Sequence, residues 1–252
     1  MKKKYAVLDP TGNITALAEM TAPELRAETA SAIMAKEPAV EQVGFVAFPK
    51  TGSVELQMAG GEFCGNATLC AGILGCVQWK TGSVQVRASG AEQPLTVSAV
   101  RVSEDAFDAE GELPLPISVA ALRLPAPNGE MEVPVARFSG ISHAIVTQPM
   151  QRETAERLVR EWCGYLQADG MGILFWNEAE QSMKPLVYVP SADTLFWESS
   201  CASGSAAVGA WLSQRQNAPV TVSIRQPGGT LEISASNNRI LLRERVRIRK
   251  GQ

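Results

Sequence analysis

A chain of 252 residues, 45% hydrophobic and 19% charged, fits one large soluble domain or two of about 100–150 residues, each able to bury a core. A net charge of −3 argues against a surface built for nucleic acid or anionic lipid, and no 18-residue apolar stretch announces a membrane span. Five cysteines make no disulfide framework, and the basic start Met1-Lys2-Lys3-Lys4 is too short for a signal peptide, so the expected setting is the reduced cytoplasm.

In chain order, Tyr5–Leu8 and Ile14–Ala18 read as strands about a Pro10-Thr11-Gly12-Asn13 turn. Thr21 ahead of Pro23 and Glu24 signals a helix start, and Leu25, Thr29, Ala32 and Ile33 give that helix one face as far as about Lys36. Strands follow at Val43–Phe48 and Val54–Met58, then Gly60-Gly61 and a helix from about Asn66 to Lys80. Ser83–Arg87 and Leu95–Val97 read as strands about a turn at Gly90. The Ala-, Asp- and Glu-rich stretch 103–112, backed by Pro114 and Pro116, reads as a loop that crosses between domains. Strands near 117–124, 131–138 and 143–147 precede a helix near 151–167 closed by Gly170. Strands near 171–176 and 184–189 lead to a helix over about 202–216, and strands near 219–225, 230–235 and 239–249 finish the chain. The alternating run Arg243–Lys250 reads as a strand with one solvated face, not a basic patch. The implied domains are 1–113, rejoined by 240–252, and 114–239.

Two cysteines sit in matching contexts. Cys64-Gly65-Asn66-Ala67-Thr68 and Cys201-Ala202-Ser203-Gly204-Ser205-Ala206-Ala207 each run straight into an apolar helix pattern, followed by strand, turn and strand. The repeated order suggests a duplicated α/β unit. A lone cysteine is usually a small core hydrophobe; a repeated one at two helix N-termini asks for more. Exposed N–H groups and the positive dipole end there favour a thiolate and bind anions. Two such thiols facing each other are an acid and a base on opposite faces of one carbon, enough to invert a stereocentre without a cofactor. Cys64, Cys70 and Cys76 lie six residues apart, about 240° around a helix, so they share no face. Cys70, Cys76 and Cys163 read as core, and with one histidine in the chain no metal site is expected. That histidine, His143, reads as a structural residue or a wall of the site; a Cys–His hydrolase would leave the twin motif unexplained. Gly60-Gly61 and Gly228-Gly229 form neither a dinucleotide fingerprint nor a phosphate loop.

On these residues the chain resembles the diaminopimelate epimerase fold superfamily, the pyridoxal-independent amino-acid racemases and epimerases. Cys64-Gly65-Asn66 and Cys201-Ala202-Ser203-Gly204 are similar to its Cys-Gly-Asn and Cys-small-small-Gly motifs in order and spacing. Gly12-Asn13 resembles its substrate-binding Gly-Asn, and Gly140-Ile141-Ser142-His143 resembles its Gly-Asn-Pro-His, keeping the Gly and the His. The resemblance implies an α/β (α+β) fold of two pseudo-symmetric domains, each a curved sheet around a central helix, with the active site in the cleft between them. It implies Cys64 and Cys201 as the catalytic pair, with substrate contacts from Asn13, Gly65, Asn66, Ala202, Ser203, Gly204, Glu198 and His143. No cofactor and no metal are expected, the partner is a small-molecule amino-acid substrate, neither nucleic acid nor membrane is involved, and a homodimer is possible.

Departures from the pattern bear on the substrate. Where diaminopimelate epimerases carry a Glu-Arg pair, Tyr188–Glu198 holds no arginine and presents Phe196, Trp197 and Glu198 instead. Asp9–Thr15 and Glu198-Ser199-Ser200-Cys201 look more like the histidine racemases of metallophore pathways. Gly60-Gly61 and Ala202–Ser205 echo the phenazine-biosynthesis isomerases, which lack the paired cysteines. A second carboxylate buried without a cation is costly, whereas imidazole stacks on an aromatic ring and donates to a carboxylate. The expected activity is inversion at Cα of a free amino acid, histidine first. The alternatives are diaminopimelate epimerisation, a phenazine-type isomerisation that uses Glu62 or Glu198, and a non-catalytic binding protein that keeps the cleft.

Overall fold

Helices that are apolar on every side must be surrounded, and the computed structural model, which describes residues 5–249, surrounds two of them with curved sheet. Met1–Lys4 and residues 250–252, the basic start and the tail of the expected return strand, lie outside the described residues. The first half runs β1 (Tyr5–Pro10), β2 (Thr15–Glu19), α1 (Pro23–Lys36), β3 (Gln42–Lys50), β4 (Ser53–Met58), α2 (Gly65–Trp79), β5 (Ser83–Ala88), β6 (Leu95–Arg101) and β7 (Ala106–Leu113). The second runs β8 (Ser118–Ala126), β9 (Gly129–Arg137), β10 (Ser142–Val146), α3 (Arg152–Leu166), β11 (Met171–Asn177), β12 (Ser182–Val189) and β13 (Thr194–Trp197). It ends with α4 (Ala202–Gln216), β14 (Val220–Gln226), β15 (Gly229–Ser236) and β16 (Arg239–Arg249).

β1 to β7 pair in sequence, and β16 pairs with both β7 and β1, so eight strands close around α2. From β16 the sheet continues through β15, β14, β12, β11, β10, β9 and β8 and curves over α4, with β13 hung on β12. β16 therefore belongs to both halves. Its even positions Ile240, Leu242 and Val246 are buried, while Arg243 and Arg245 face out. α2 and α4 share one core, which includes Leu69, Ile73, Val208 and Leu212. α1 and α3 pack on the outer faces of their sheets, with Ile33 and Trp162 in the respective secondary cores. Among the described residues no helix is long and apolar enough to cross a membrane.

Several local expectations are corrected. The acidic stretch 103–112 is mostly strand: Asp108 and Glu110 of β7 lie opposite Arg245 and Arg243 of β16 and pair with them at 2.7 and 2.5 Å. Cross-strand charge pairing, weak per exposed pair but repeated, gives an acid-rich segment a strand partner. The cap of α1 is Ala22, not Thr21; Leu25 and Ala32 face solvent while Ala30 and Ile33 are buried. α3 closes on Gln167 in the left-handed region (φ 51°), three residues before Gly170. The short strand β13 was not anticipated, and Glu244 is buried on the inner face of β16, where Thr11 Oγ1 donates to it at 2.7 Å.

Close packing of α2 against the barrel depends on Gly72, where a Cβ would stand 2.3 Å from Val97 Cγ1. Gly72→Ala is expected to lower stability by about 1–2 kcal/mol net, because overpacking outweighs the ~1 kcal/mol that alanine gains in helix propensity. Gly82, whose Cβ would meet nothing within 4 Å, is the control: urea denaturation should show a clear loss for Gly72→Ala and little for Gly82→Ala, and equal effects would contradict this packing account.

Candidate active site

Cys64 and Cys201 are the N-caps of α2 and α4, and their backbones are near copies: φ/ψ −129°/111° and −131°/105°. Ala67 N–H donates to Cys64 Sγ at 3.3 Å and Gly204 N–H to Cys201 Sγ at 3.4 Å. A hydroxyl one turn on completes each cap, Thr68 Oγ1 to Cys64 O and Ser205 Oγ to Cys201 O, both at 2.8 Å. Sulfur thus occupies the place that Ser, Thr, Asp or Asn oxygen usually takes. The two helix ends meet. A Cβ on Gly65 would lie 2.8 Å from Ala202 Cβ, so glycine at the first position of α2 is what lets them approach.

Both thiols open onto one cavity of about 120 Å³. That is well below the roughly 300–1,000 Å³ of pockets for drug-sized ligands, so the occupant is small. Gly65, Asn66, Ala202, Ser203 and Glu198 line it with the cysteines. Asn13, His143 and Gly204 do not; they stand behind the lining. Asn13 is fully buried, takes a hydrogen bond from Asn66 Nδ2 at 3.0 Å and donates to Glu41 at 2.8 Å. His143 Nε2 bonds Ser203 Oγ at 3.0 Å, and Gly204 N–H serves Cys201. Of the aromatic pair on β13, Phe196 faces the cavity with Thr194 and Glu198. Trp197 points the other way, stacked on Phe175 at 5.6 Å and bonded to Glu156. Strand alternation separates them. Ile141 also lines the cavity.

The wall adds three polar side chains, Glu41, Gln42 and Glu62. Glu62 was expected only as an alternative acid, and Glu41 and Gln42 were missed, because a polar pair ahead of Val43 looks like the solvated start of a strand. Cys64 Sγ donates to Gln42 Oε1 at 2.6 Å, and Gln42 Nε2 donates to Glu198 Oε1 at 3.2 Å. Ser199 Oγ donates to Glu41 at 2.6 Å, and Asn66 Nδ2 also reaches Ser200 O at 3.2 Å, so polar contacts join the halves around the site. Buried Oε2 atoms of Glu62 and Glu198 have no hydrogen-bond partner among the described residues, nor has His143 Nδ1.

Burial sets the electrostatics. It pushes the Cys64 thiol up, with the Glu198 and Glu62 charges adding to it and the Ala67 and Asn66 amides opposing. Burial, then the Glu198 charge and a hydrogen bond to Glu198, push Cys201 up, while Ser203 and Gly204 pull it down. Glu198 rises to about 7, chiefly by burial, against hydrogen bonds from Cys201 and Gln42. Burial also raises Glu62. His143, sealed from water, falls to about 3. Cys70, Cys76 and Cys163 are free and buried in the cores, away from the cavity. Among the described residues, no three His, Cys, Asp or Glu side chains are grouped to hold a metal ion.

This architecture is shared by a probable proline racemase from Agrobacterium radiobacter, which superposes with a TM-score of 0.66 at 13% identity, over 98% of this chain and 92% of that one. At that identity the likeness is one of fold. Residues 2–249 match the profile of the histidine racemase CntK N-terminal domain, and the chain belongs to that family. A histidine racemase from Fusobacterium nucleatum is 32% identical over 96% of this chain and 95% of its own length. Another, from Staphylococcus aureus, is 26% identical over 92% and 88%.

The lone histidine makes one prediction clean. An ordinary imidazole titrates near 6.5, so His143 should show no change in its side-chain NMR signals from pH 8 to 5. The unfolded chain protonates first on acidification, so this group's contribution to stability is full above about 6.5 and declines as pH falls toward 3. A His143 titration near 6.5 in the folded protein would contradict its sealed placement.

Proposed function

We propose that the protein is a cofactor-independent histidine racemase in which Cys64 and Cys201 act as a two-base pair. The observation that carries this reading is the pair of N-capping thiols on one cavity whose wall holds buried carboxylate oxygens of Glu62 and Glu198 with no hydrogen-bond partner among the described residues. One sulfur, as thiolate, takes the Cα proton; the other, as thiol, delivers its proton to the opposite face. The electron pair left on Cα spreads into the α-carboxylate, which lies against the first-turn amides of Gly65, Ala202 and Ser203 and the positive ends of both helices. Small residues after each cysteine let the ligand approach the backbone. The α-ammonium and imidazole N–H groups satisfy the orphaned carboxylate oxygens, and Phe196 offers a stacking face.

Among the described residues the cavity lining contains no lysine or arginine. A distal carboxylate, as in diaminopimelate, therefore meets acids rather than a cation, which disfavours it. Residues 1–113 with 240–249 act in this reading as one domain and 114–239 as the other, closing on the substrate to exclude water. The reading includes a cytoplasmic setting, since both thiols must stay reduced. It also includes D-histidine supply to metallophore assembly, on sequence resemblance alone.

Cys64→Ala and Cys201→Ala should each lower histidine racemisation by roughly 10²–10⁴-fold or more with the fold intact by circular dichroism, since that is the usual worth of a general acid or base. Serine replacements should be nearly as poor, because a hydroxyl is a far weaker acid than a thiol. Either alanine variant keeping more than about a hundredth of the rate would overturn the pairing. Specificity is read side by side. L-Histidine should exceed LL-diaminopimelate in kcat/KM, and a preference of about tenfold or more for the latter, some 1.4 kcal/mol at the transition state, would overturn the substrate assignment.

A further inference from the structure

The two thiols have matching backbones but unlike neighbours. Cys64 donates to a carbonyl, Gln42 Oε1, at 2.6 Å. That carbonyl is held in place, because the other end of the same amide donates to Glu198 Oε1 at 3.2 Å. An ionised carboxylate can only accept, so the amide must turn its NH₂ toward Glu198 and its oxygen toward Cys64. A carbonyl oxygen stabilises S–H and repels S⁻. Cys201 has other neighbours besides Glu198. Ser203 Oγ lies 3.5 Å from its sulfur, and His143 Nε2 lies 3.0 Å from Ser203 Oγ. His143 is neutral, and its Nδ1 is buried without a partner among the described residues, which leaves Nε2 to carry the proton and donate to Ser203. The serine hydroxyl is then free to donate to Cys201. Gly204 N–H donates to the same sulfur at 3.4 Å. Glu198 bears on both sulfurs and Glu62 on Cys64; Cys201 also hydrogen-bonds Glu198, which works against its ionisation, so what separates the two sites is the carbonyl held on Cys64 and the hydroxyl and amide aimed at Cys201.

We infer that Gln42, oriented by Glu198, is a positioning residue that keeps the proton on Cys64, while Ser203 and His143 make Cys201 the first of the two thiols to give its proton up. The inference rests on the two-thiol reading and assigns each sulfur its starting role. The enantiomer whose Cα–H faces Cys201 then meets the more populated of the two singly ionised forms, and the other must wait for the less populated one. Its apparent affinity falls by the fraction populated. The free energies of L- and D-histidine are equal, so kcat/KM must be equal for the two, and the bias shows only as unequal KM values compensated in kcat.

The test is residue-resolved labelling with iodoacetamide at pH 8 to 9, where Glu198 is ionised, read by peptide mass spectrometry, with KM measured for both enantiomers. In the wild type Cys201 should be labelled ahead of Cys64. Gln42→Met keeps the length and removes the carbonyl. It should raise Cys64 labelling by about threefold or more, the scale of one hydrogen bond, and move the KM ratio toward one. Ser203→Ala should slow Cys201 labelling and leave Cys64 unchanged, a second reading that does not depend on the Gln42 variant folding. Cys64 labelled first in the wild type, or a Gln42→Met protein with the wild-type labelling and KM ratios, overturns the inference. Absence of histidine racemisation by the wild type would instead strike the functional reading, and the labelling order would still decide the starting roles.

Discussion

Everything at this site depends on two helix N-termini being brought into contact, Gly65 of α2 against Ala202 of α4. Like ends of two helix dipoles repel, and each end carries amides that no helical carbonyl satisfies. The capping sulfurs of Cys64 and Cys201 accept from one amide each, Ala67 and Gly204, and leave the others unsatisfied by the caps. What remains is a concentration of positive potential with a cavity in front of it, a place made for an anion. An α-carboxylate that gains charge as Cα is deprotonated fits this potential better in the transition state than in the ground state, which is the condition for catalysis.

The rest of the fold holds the two ends together. β16 belongs to both halves, bonded to β7 along one edge and to β15 and then β1 along the other, so neither helix can shift without disturbing a shared strand. Asn66 reaches across to Ser200, and Glu41 takes a hydrogen bond from Ser199, so the halves are tied at the site as well as at the strand. The carboxylates opposite the helix ends supply the complementary sign. They oppose thiolate formation, and burial opposes it further. An ammonium group and an imidazole entering the same space reverse part of that penalty, which links substrate arrival to activation of a sulfur.

Much of this was legible in the residues. Among the described residues, period-2 and helical patterns located the four α-helices and most strands, and the repeated Cys–small–helix order pointed to both caps and to their pairing in one site. What escaped notice shares a physical cause: partners supplied by distant segments. β7 looked like a loop because its acids find their arginines on β16, more than a hundred residues on. Gln42 looked like a solvated strand start because its partners, Cys64 and Glu198, come from α2 and the end of β13. Phe196 and Trp197 looked like one aromatic set because only the register of β13 on β12 sends them to opposite faces.

The central claim, that two thiols work on opposite faces of one carbon, is tested most directly by isotope. L-Histidine is incubated with the protein in D₂O without added cofactor, and both enantiomers are separated and examined by NMR early in the reaction. The two-thiol account predicts D-histidine carrying deuterium at Cα while the remaining L-histidine keeps its proton, because the group that takes the hydrogen is not the group that returns one. D-Histidine retaining the substrate's own proton, or L-histidine exchanging without inversion, would contradict it.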